Sequence, residues 1–395
     1  MTSTVRTPDF LASARDSLPG FGLYIHWPFC AAKCPYCDFN SHVVSTVDFD
    51  RWGRAFEAEI SRVGKDTGDR VLNTVFFGGG TPSLMPAELV ARILSNVRQT
   101  WRAANDLEVT LEANPTSVEA RRFKGFVDAG VNRFSIGVQA LDDPSLKRLG
   151  RLHSVSEALS SIEVARSLVD RVSFDLIYAR QDQTRSAWAR ELKEALALEP
   201  THLSLYQLSI EDGTAFGARH AVGKLRGLPD AELSADMYET TQELCENAGL
   251  RAYEVSNHAQ PEQESRHNLI YWRGGDYLGI GPGAHGRLSN GRTRRATVAE
   301  RAPTRWLNGV EAGGATHEVL QLIDRDEQAA EYVMMALRLN EGLSIHRYAA
   351  ISGNTLCEKT INLLVEDGLL WSEPDRIGTT ARGRLVLNAI IRELI

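Results

Sequence analysis

Six short runs of β-branched and aromatic residues punctuate the first half of the chain, at Gly22–His26, Asn73–Phe77, Glu108–Glu112, Arg133–Val138, Arg171–Tyr178 and His202–Ile210. Between them lie stretches whose apolar residues recur at helical spacing, among them Phe49–Val63, Ala87–Trp101, Ser117–Ala129 and Ser154–Leu168. Strands that alternate with helices are joined by crossovers and lie parallel. Six such units predict an α/β fold, a partial and open (β/α)6 barrel of the TIM type over residues 21–215. Chemistry in barrels of this kind gathers at the C-terminal ends of the strands. The unusual residues of this chain follow the strands there: Cys30, Gly78–Gly80, Glu112, Gln139, Asp175 and Glu211. One shared site is expected.

Past Ile210 the pattern loosens. A helix over Ala231–Ala248, a strand over Arg251–Val255 and a Gly-rich run from Arg273 to Gly286 predict a lateral extension of the barrel, residues 216–314. From about Ala315 the chain reads helix, helix, helix, then a strand pair around Leu370–Thr379 and a closing helix, the order of a small winged-helix-like domain over 315–395. Residues 1–20 carry no such pattern and are expected to be a flexible segment.

Composition narrows the function classes. Hydrophobic residues make up 43% and charged residues 24%, a globular balance that excludes a repetitive fibre and long disorder. The net charge of -7 offers no general attraction to phosphate backbones, and the C-terminal domain has more acidic than basic residues, so nucleic acid is not an expected partner. No stretch of roughly 18 apolar residues could span a bilayer, and the N-terminal residues lack the apolar core of a secretory signal. The expected location is the cytoplasm, with a peripheral membrane contact left open.

Three of the five cysteines fall within eight residues, Cys30-Ala-Ala-Lys-Cys34-Pro-Tyr-Cys37, just past the first strand. A 4Fe-4S cluster is ordinarily held by four thiolates, so a cubane with three protein ligands keeps one iron open for another ligand. The other reading is a structural zinc site completed by His26 or His42. Cys245 and Cys357 stand alone and read as small hydrophobes.

The C-x3-C-x2-C spacing, with an aromatic residue before its last cysteine, resembles that of the radical S-adenosylmethionine superfamily. The resemblance implies that Cys30, Cys34 and Cys37 hold the cluster. It also implies that S-adenosylmethionine chelates the open iron, and that the reduced cluster can cleave its sulfonium to a deoxyadenosyl radical. Gly78-Gly79-Gly80-Thr81-Pro82 would meet the methionine amino group, and Glu112 resembles the carboxylate that holds the cofactor from strand three. By the same resemblance Tyr24, Tyr36, Gly79, Gly80, Thr81, Gln139, Arg151 and Asp175 are expected cofactor contacts.

Further runs make the resemblance narrower: Tyr24-Ile-His-Trp-Pro-Phe-Cys30, Arg133-Phe-Ser-Ile-Gly-Val-Gln139, Leu149-Gly-Arg-Leu-His153, Asp175-Leu-Ile-Tyr178, Tyr253-Glu-Val-Ser-Asn257 and Arg266–Trp272. Together they are similar to the oxygen-independent coproporphyrinogen III oxidase group and cover nearly the whole chain. Two functions divide that group. Its decarboxylases carry a further cysteine two residues beyond the third, where this chain has Phe39. Its heme chaperones, the HemW proteins, carry the motif H-N-x-x-Y-W, which His267-Asn268-Leu269-Ile270-Tyr271-Trp272 resembles.

Both features point to the chaperone, with heme as cargo and an acceptor heme protein, possibly respiratory, as partner. In that reading His267 is the expected axial ligand of heme iron, with Tyr271 and Trp272 offering flat surface to the porphyrin. A histidine hydrogen-bonded within the fold is the alternative for His267. The Gly-rich run Asp276-Tyr-Leu-Gly-Ile-Gly-Pro-Gly-Ala-His285 is expected to line the same cavity. One departure stands out: after Tyr178, where the family has a glycine-leucine-proline turn, this chain has Ala179-Arg180-Gln181. Whether S-adenosylmethionine is turned over, and whether the chain forms a homodimer, stay open at this level. So does a rival reading, radical decarboxylation of the propionates of coproporphyrinogen III.

Overall fold

The computed structural model describes residues 19–290, 293–314 and 316–395, so the expected flexible segment 1–20 lies outside the described residues but for its last two. A twelve-stranded sheet forms the frame. Its centre is an arc of six parallel strands that pair in chain order: β1 (Phe21–Trp27), β2 (Val71–Gly79), β3 (Arg102–Ala113), β4 (Arg133–Gln139), β5 (Arg171–Tyr178) and β6 (His202–Gln207). Helices α1 (Phe49–Thr67), α2 (Ala87–Thr100), α3 (Val155–Leu168) and α4 (Arg185–Leu196) fill crossovers between them. The partial (β/α)6 barrel read from the sequence is present.

Alternation along these strands separates two environments. Leu23, Ile25, Val75, Phe77, Leu111, Phe134, Phe174 and Leu176 are fully buried between sheet and helices. Their neighbours Tyr24, Phe76, Glu112, Gln139 and Asp175 are partly accessible and line the interior of the arc. Helix starts are marked locally: Ser154 and Glu157 cap α3 reciprocally, and the Asp48 side chain accepts from the Arg51 N–H at the start of α1.

The lateral extension adds strands at both edges of the arc. On the β6 side, β7 (Arg251–Ala252) and β8 (Asn257–Ala259) form an antiparallel pair, with β8 against β6. The strand expected over Arg251–Val255 stops early because the Glu254 carboxylate accepts the Ser256 N–H at 2.9 Å and the Asn257 amide at 2.5 Å, which turns the chain back. On the β1 side, β9 (Asp276–Ile280) runs parallel to β1, followed by antiparallel β10 (His285–Asn290), β11 (Thr293–Ala299) and β12 (His317–Ile323). Between the edges lie α5 (Ala231–Asn247) and α6 (Arg266–Trp272). Helix α7 (Pro303–Glu311) docks on the barrel by stacking Trp306 on Trp52 of α1, ring centroids 5.5 Å apart.

Two expected elements differ. Ser117–Ala129 is not one helix but two, Ser117–Ala120 and Phe123–Ala129. The first piece is tied inward by Glu119, which accepts from Ser83 and from the Asn114 N–H, while Phe123 and Phe126 of the second are buried in the core. The stretch after 315, read as helical, begins instead with β12, whose backbone pairs with β11. The C-terminal helices start at α8 (Arg325–Ala336), with Asp324 and Glu327 as a capping box. A separate core of Tyr332, Val333, Leu337, Leu343, Ile377 and Ile390 joins α8 to the following helices and to a three-stranded sheet. That order of helices and short strands is winged-helix-like. Among the described residues no helix is long and apolar enough to cross a membrane.

Candidate functional site

The cysteine loop leaves β1 at the C-terminal mouth of the arc and is clamped there by the glycine turn after β2. The Gly80 N–H donates to the Trp27 carbonyl at 2.7 Å and the Thr81 N–H to the Phe29 carbonyl at 2.8 Å. Only glycine fits at 80, because a Cβ there would meet the Phe29 carbonyl oxygen at 2.6 Å. Gly79 adopts φ +107°, a conformation that L side chains rarely adopt. The turn is therefore shaped by the cluster loop it holds.

One polar chain links the thiols. The Thr81 hydroxyl donates to Sγ of Cys30 at 3.3 Å, and Arg151 Nη1 donates to Sγ of Cys34 at 3.5 Å. Asn114 joins these two residues, donating to Thr81 Oγ1 at 3.1 Å and accepting from Arg151 Nη2 at 2.5 Å. Arg151 also donates to the Gly137 carbonyl at 2.8 Å. Tyr36 packs on Phe216, ring centroids 6.4 Å apart, with burial pushing its phenol up beside Cys34 and Arg151. Burial likewise pushes the Cys30 and Cys37 thiols up, opposed by hydroxyl hydrogen bonds from Thr81 and Ser41. A metal is what turns such thiols into thiolates.

The ligand set distinguishes the two metal readings. Among the described residues no three His, Cys, Asp or Glu side chains are gathered tightly enough to hold one ion. A cubane distributes its cysteines over different irons, whereas zinc needs its ligands converged on one centre. His26, a proposed fourth zinc ligand, has both ring nitrogens engaged, Nδ1 with the Tyr24 hydroxyl at 3.1 Å and Nε2 with the Asn40 carbonyl at 2.9 Å. His42 Nε2 is held by Asn40 Oδ1 at 3.2 Å. The loop fits the cluster.

Behind the loop, Glu112 and Asp175 face the interior of the arc. Burial, then the charge of Asp175, pushes the Glu112 carboxyl up to about 8, although it accepts a hydrogen bond from the Gly79 N–H. Burial raises Asp175 to about 6, and its Oδ1 is buried with no hydrogen-bond partner among the described residues. Gln139 closes β4 at φ 73°, where the β4–β5 register shifts. Two neighbouring carboxyls and an orphaned acceptor fit a cationic, hydrogen-bonding ligand such as S-adenosylmethionine. The expected contacts Tyr24, Tyr36, Gly79, Gly80, Thr81, Glu112, Gln139, Arg151 and Asp175 are thus brought to one mouth.

The second motif lies on α6. His267 is buried, stacks on Phe76 at 5.0 Å, and bonds Thr74 Oγ1 through Nδ1 at 2.7 Å and the Tyr271 hydroxyl through Nε2 at 2.6 Å. Burial, then Arg133, holds its pKa down to about 3, so the ring is neutral. The structure gives His267 the alternative role weighed for it, a histidine hydrogen-bonded within the fold. Neither nitrogen is free for iron in this arrangement. Tyr271 packs edge-on against Tyr277 at 4.4 Å, while Trp272 lies beneath the Arg338 guanidinium at 5.9 Å. Each ring is thus already covered on one side by a neighbour in the fold.

Sequence reasoning missed Asn114, which follows directly on the end of β3 two residues after Glu112 and could have been found by that place at the C-terminal end of a barrel strand. It also missed Arg133, whose guanidinium donates to Ser173 Oγ at 3.0 Å. The departure at Ala179-Arg180-Gln181 has its own solution: Ala179 takes φ 56°, and buried Arg180 pairs with Glu191 at 2.5 Å and donates to the Ile177 carbonyl at 2.7 Å.

Known proteins resemble this chain over nearly its whole length. Residues 24–195 match the radical SAM superfamily and residues 323–386 match the HemN C-terminal domain. The chain is 38% identical over 382 residues to the heme chaperone HemW of Escherichia coli, covering 95% of this chain and 98% of that protein. It is 32% identical to the heme chaperone HemW of Bacillus subtilis, covering 93% and 97%. To the mitochondrial radical S-adenosyl methionine domain-containing protein 1 of Bos taurus it is 37% identical, covering 100% and 92%. Among solved structures, coproporphyrinogen III oxidase (HemN) from Escherichia coli superposes with a TM-score of 0.80 at 22% identity, covering 99% of this chain and 93% of that one, a likeness of fold.

Proposed function

The chain belongs to the radical SAM superfamily and, within it, to the HemW family, and from that membership we infer that it is a heme chaperone: it binds heme and hands it to an acceptor heme protein, such as one of a respiratory chain. Cys30, Cys34 and Cys37 would hold a 4Fe-4S cluster. S-adenosylmethionine would sit at its open iron, with Gly79, Gly80 and Thr81 beside the amino acid end and Glu112, Gln139, Arg151 and Asp175 around the rest. Such a cluster, when bound and reduced, would supply the one electron that cleaves a sulfonium. The protein residues do simpler work. Arg151 neutralises charge at Cys34, Thr81 and Ser41 hydrogen-bond the other sulfurs, and Asp175 offers negative charge to a cation beside the Glu112 carboxyl.

The observation that carries the chaperone reading is Phe39. It occupies the position where the decarboxylases of this group have a further cysteine, and its ring is 57% exposed at the edge of the cluster loop. An exposed aromatic residue there offers apolar contact and no metal ligand. The experiment is product analysis under strict anaerobiosis: reconstituted, reduced protein with S-adenosylmethionine and coproporphyrinogen III. A chaperone leaves the propionates intact, whereas vinyl-bearing porphyrins would establish a decarboxylase.

A further inference from the structure

Both nitrogens of His267 are engaged within the fold, which turns attention to the other histidines as ligands of heme iron. Five histidines are buried: His26, His153, His202, His258 and His267. Of those with accessible rings, His346 is bonded to Asp375 and His42 holds Asn40 through Nε2, while His220, likewise without a side-chain hydrogen bond among the described residues, sits on the separate helix Ala215–Ala221. His285, exposed at the start of β10, has no side-chain hydrogen bond among the described residues.

His285 stands on the same rim as the cluster loop. Asn40 donates to the Pro282 and Arg301 carbonyls, each at 2.9 Å, which draws the segment leading into β10 against the loop. His42 and His285 both bear on the ring of His26 from this side. The rim is apolar for a stretch, with Phe39 57%, Val43 54% and Val44 44% exposed, and it continues past Val44 into a groove lined by Phe29, Cys30, Ala31 and Val47. Positive charge borders it. Lys33 donates to the Ser41 carbonyl, and the guanidiniums of Arg287 and Arg301 face His285, adding to the burial that lowers its imidazole. Arg301 makes no ion pair among the described residues.

We propose that heme is bound outside the barrel on this rim, with His285 as an axial ligand of the iron, the Phe39–Val44 surface against the macrocycle and Arg301 and Lys33 facing the propionates. A free imidazole, an exposed apolar strip and unpaired cations are the three things a flat, dicarboxylate iron porphyrin requires. This site rests on the heme chaperone reading, and it puts the cargo beside the cluster loop.

The test is an anaerobic hemin titration of the reconstituted full chain, read by Soret position and by ferric spin state. Variants are His285→Ala, Arg301→Glu and, as controls, His220→Ala and His267→Gln. His285→Ala should shift the Soret band and weaken binding at least tenfold, Arg301→Glu should weaken binding several-fold with the band in place, and the controls should match wild type. Wild-type binding with an unchanged spectrum in His285→Ala would overturn the assignment while leaving the chaperone reading intact. No hemin binding by wild type would overturn both.

Discussion

The Nε2 of His267 and the hydroxyl of Tyr271 lie 2.6 Å apart, one helical turn from each other on α6, so that the phenol caps the imidazole within the helix. Thr74 of β2 holds the other nitrogen at 2.7 Å, and the Glu108 carboxylate accepts the His267 N–H at 3.1 Å. His267→Ala would leave two buried hydroxyls without partners and open a cavity beside Phe76. The expected loss is roughly 2 to 4 kcal/mol in urea unfolding, with most of it recovered in His267→Gln. An alanine variant as stable as wild type would contradict the structural role.

Stability should depend on pH in two opposed windows. Burial depresses His267 to about 3, and His26, His153 and His258 to about 4, against an ordinary value of 6.5. The unfolded chain therefore binds protons that the fold refuses, and stability present above pH 6.5 is lost as pH falls toward 4. Glu112 acts the other way. Its carboxyl stays protonated in the fold to about 8 against an ordinary 4.5, so the ligand-free protein loses stability as pH rises through that range. Urea midpoints measured from pH 4 to 9 should show a flatter acid limb in His267→Gln and a smaller alkaline decline in Glu112→Gln, by roughly 2 kcal/mol after allowing for water in the lumen. Curves parallel to wild type would refute the assignment.

Gly80→Ala should abolish cluster assembly without unfolding the chain. The added methyl would press on the Phe29 carbonyl and push the glycine turn away from the cysteine loop. Iron and acid-labile sulfide after reconstitution should fall to a small fraction of wild type while the circular dichroism spectrum is kept. Full iron loading would show that the clamp does not matter.

The turn after β5 offers a test of compensation. Ala179→Gly removes left-handed strain and should stabilise by about 1 kcal/mol. Arg180→Ala strands the buried Glu191 carboxylate and should cost roughly 3 to 5 kcal/mol. Thermal unfolding of both variants reads the two signs directly, and a destabilised Ala179→Gly would mean the strain is absent.

The barrel was legible because each of its strands is a short run bounded by helical stretches, and the cysteines announce themselves by spacing alone. Other features were not. The break after Ala120 depends on Glu119 reaching Ser83 across the fold, and β12 forms because β11 offers it a partner; neither partner is near in sequence. Asn114 takes its place only through Thr81 and Arg151, 33 and 37 residues away in the chain. His267 is the sharpest case. A histidine followed four residues later by tyrosine reads as a ligand with a flat neighbour, yet helical spacing brings that tyrosine back to cap the imidazole.

The most direct test of the chaperone function is a transfer measurement. Heme-loaded, cluster-reconstituted protein would be mixed anaerobically with an apo-form of a b-type respiratory heme protein, and the Soret bands of donor and acceptor followed together. The expected result is stoichiometric loss of heme from the loaded protein with matching gain by the acceptor, faster than from hemin-albumin at the same concentration. Heme that never leaves the protein, or protein that never takes it up, would contradict the function proposed for this chain.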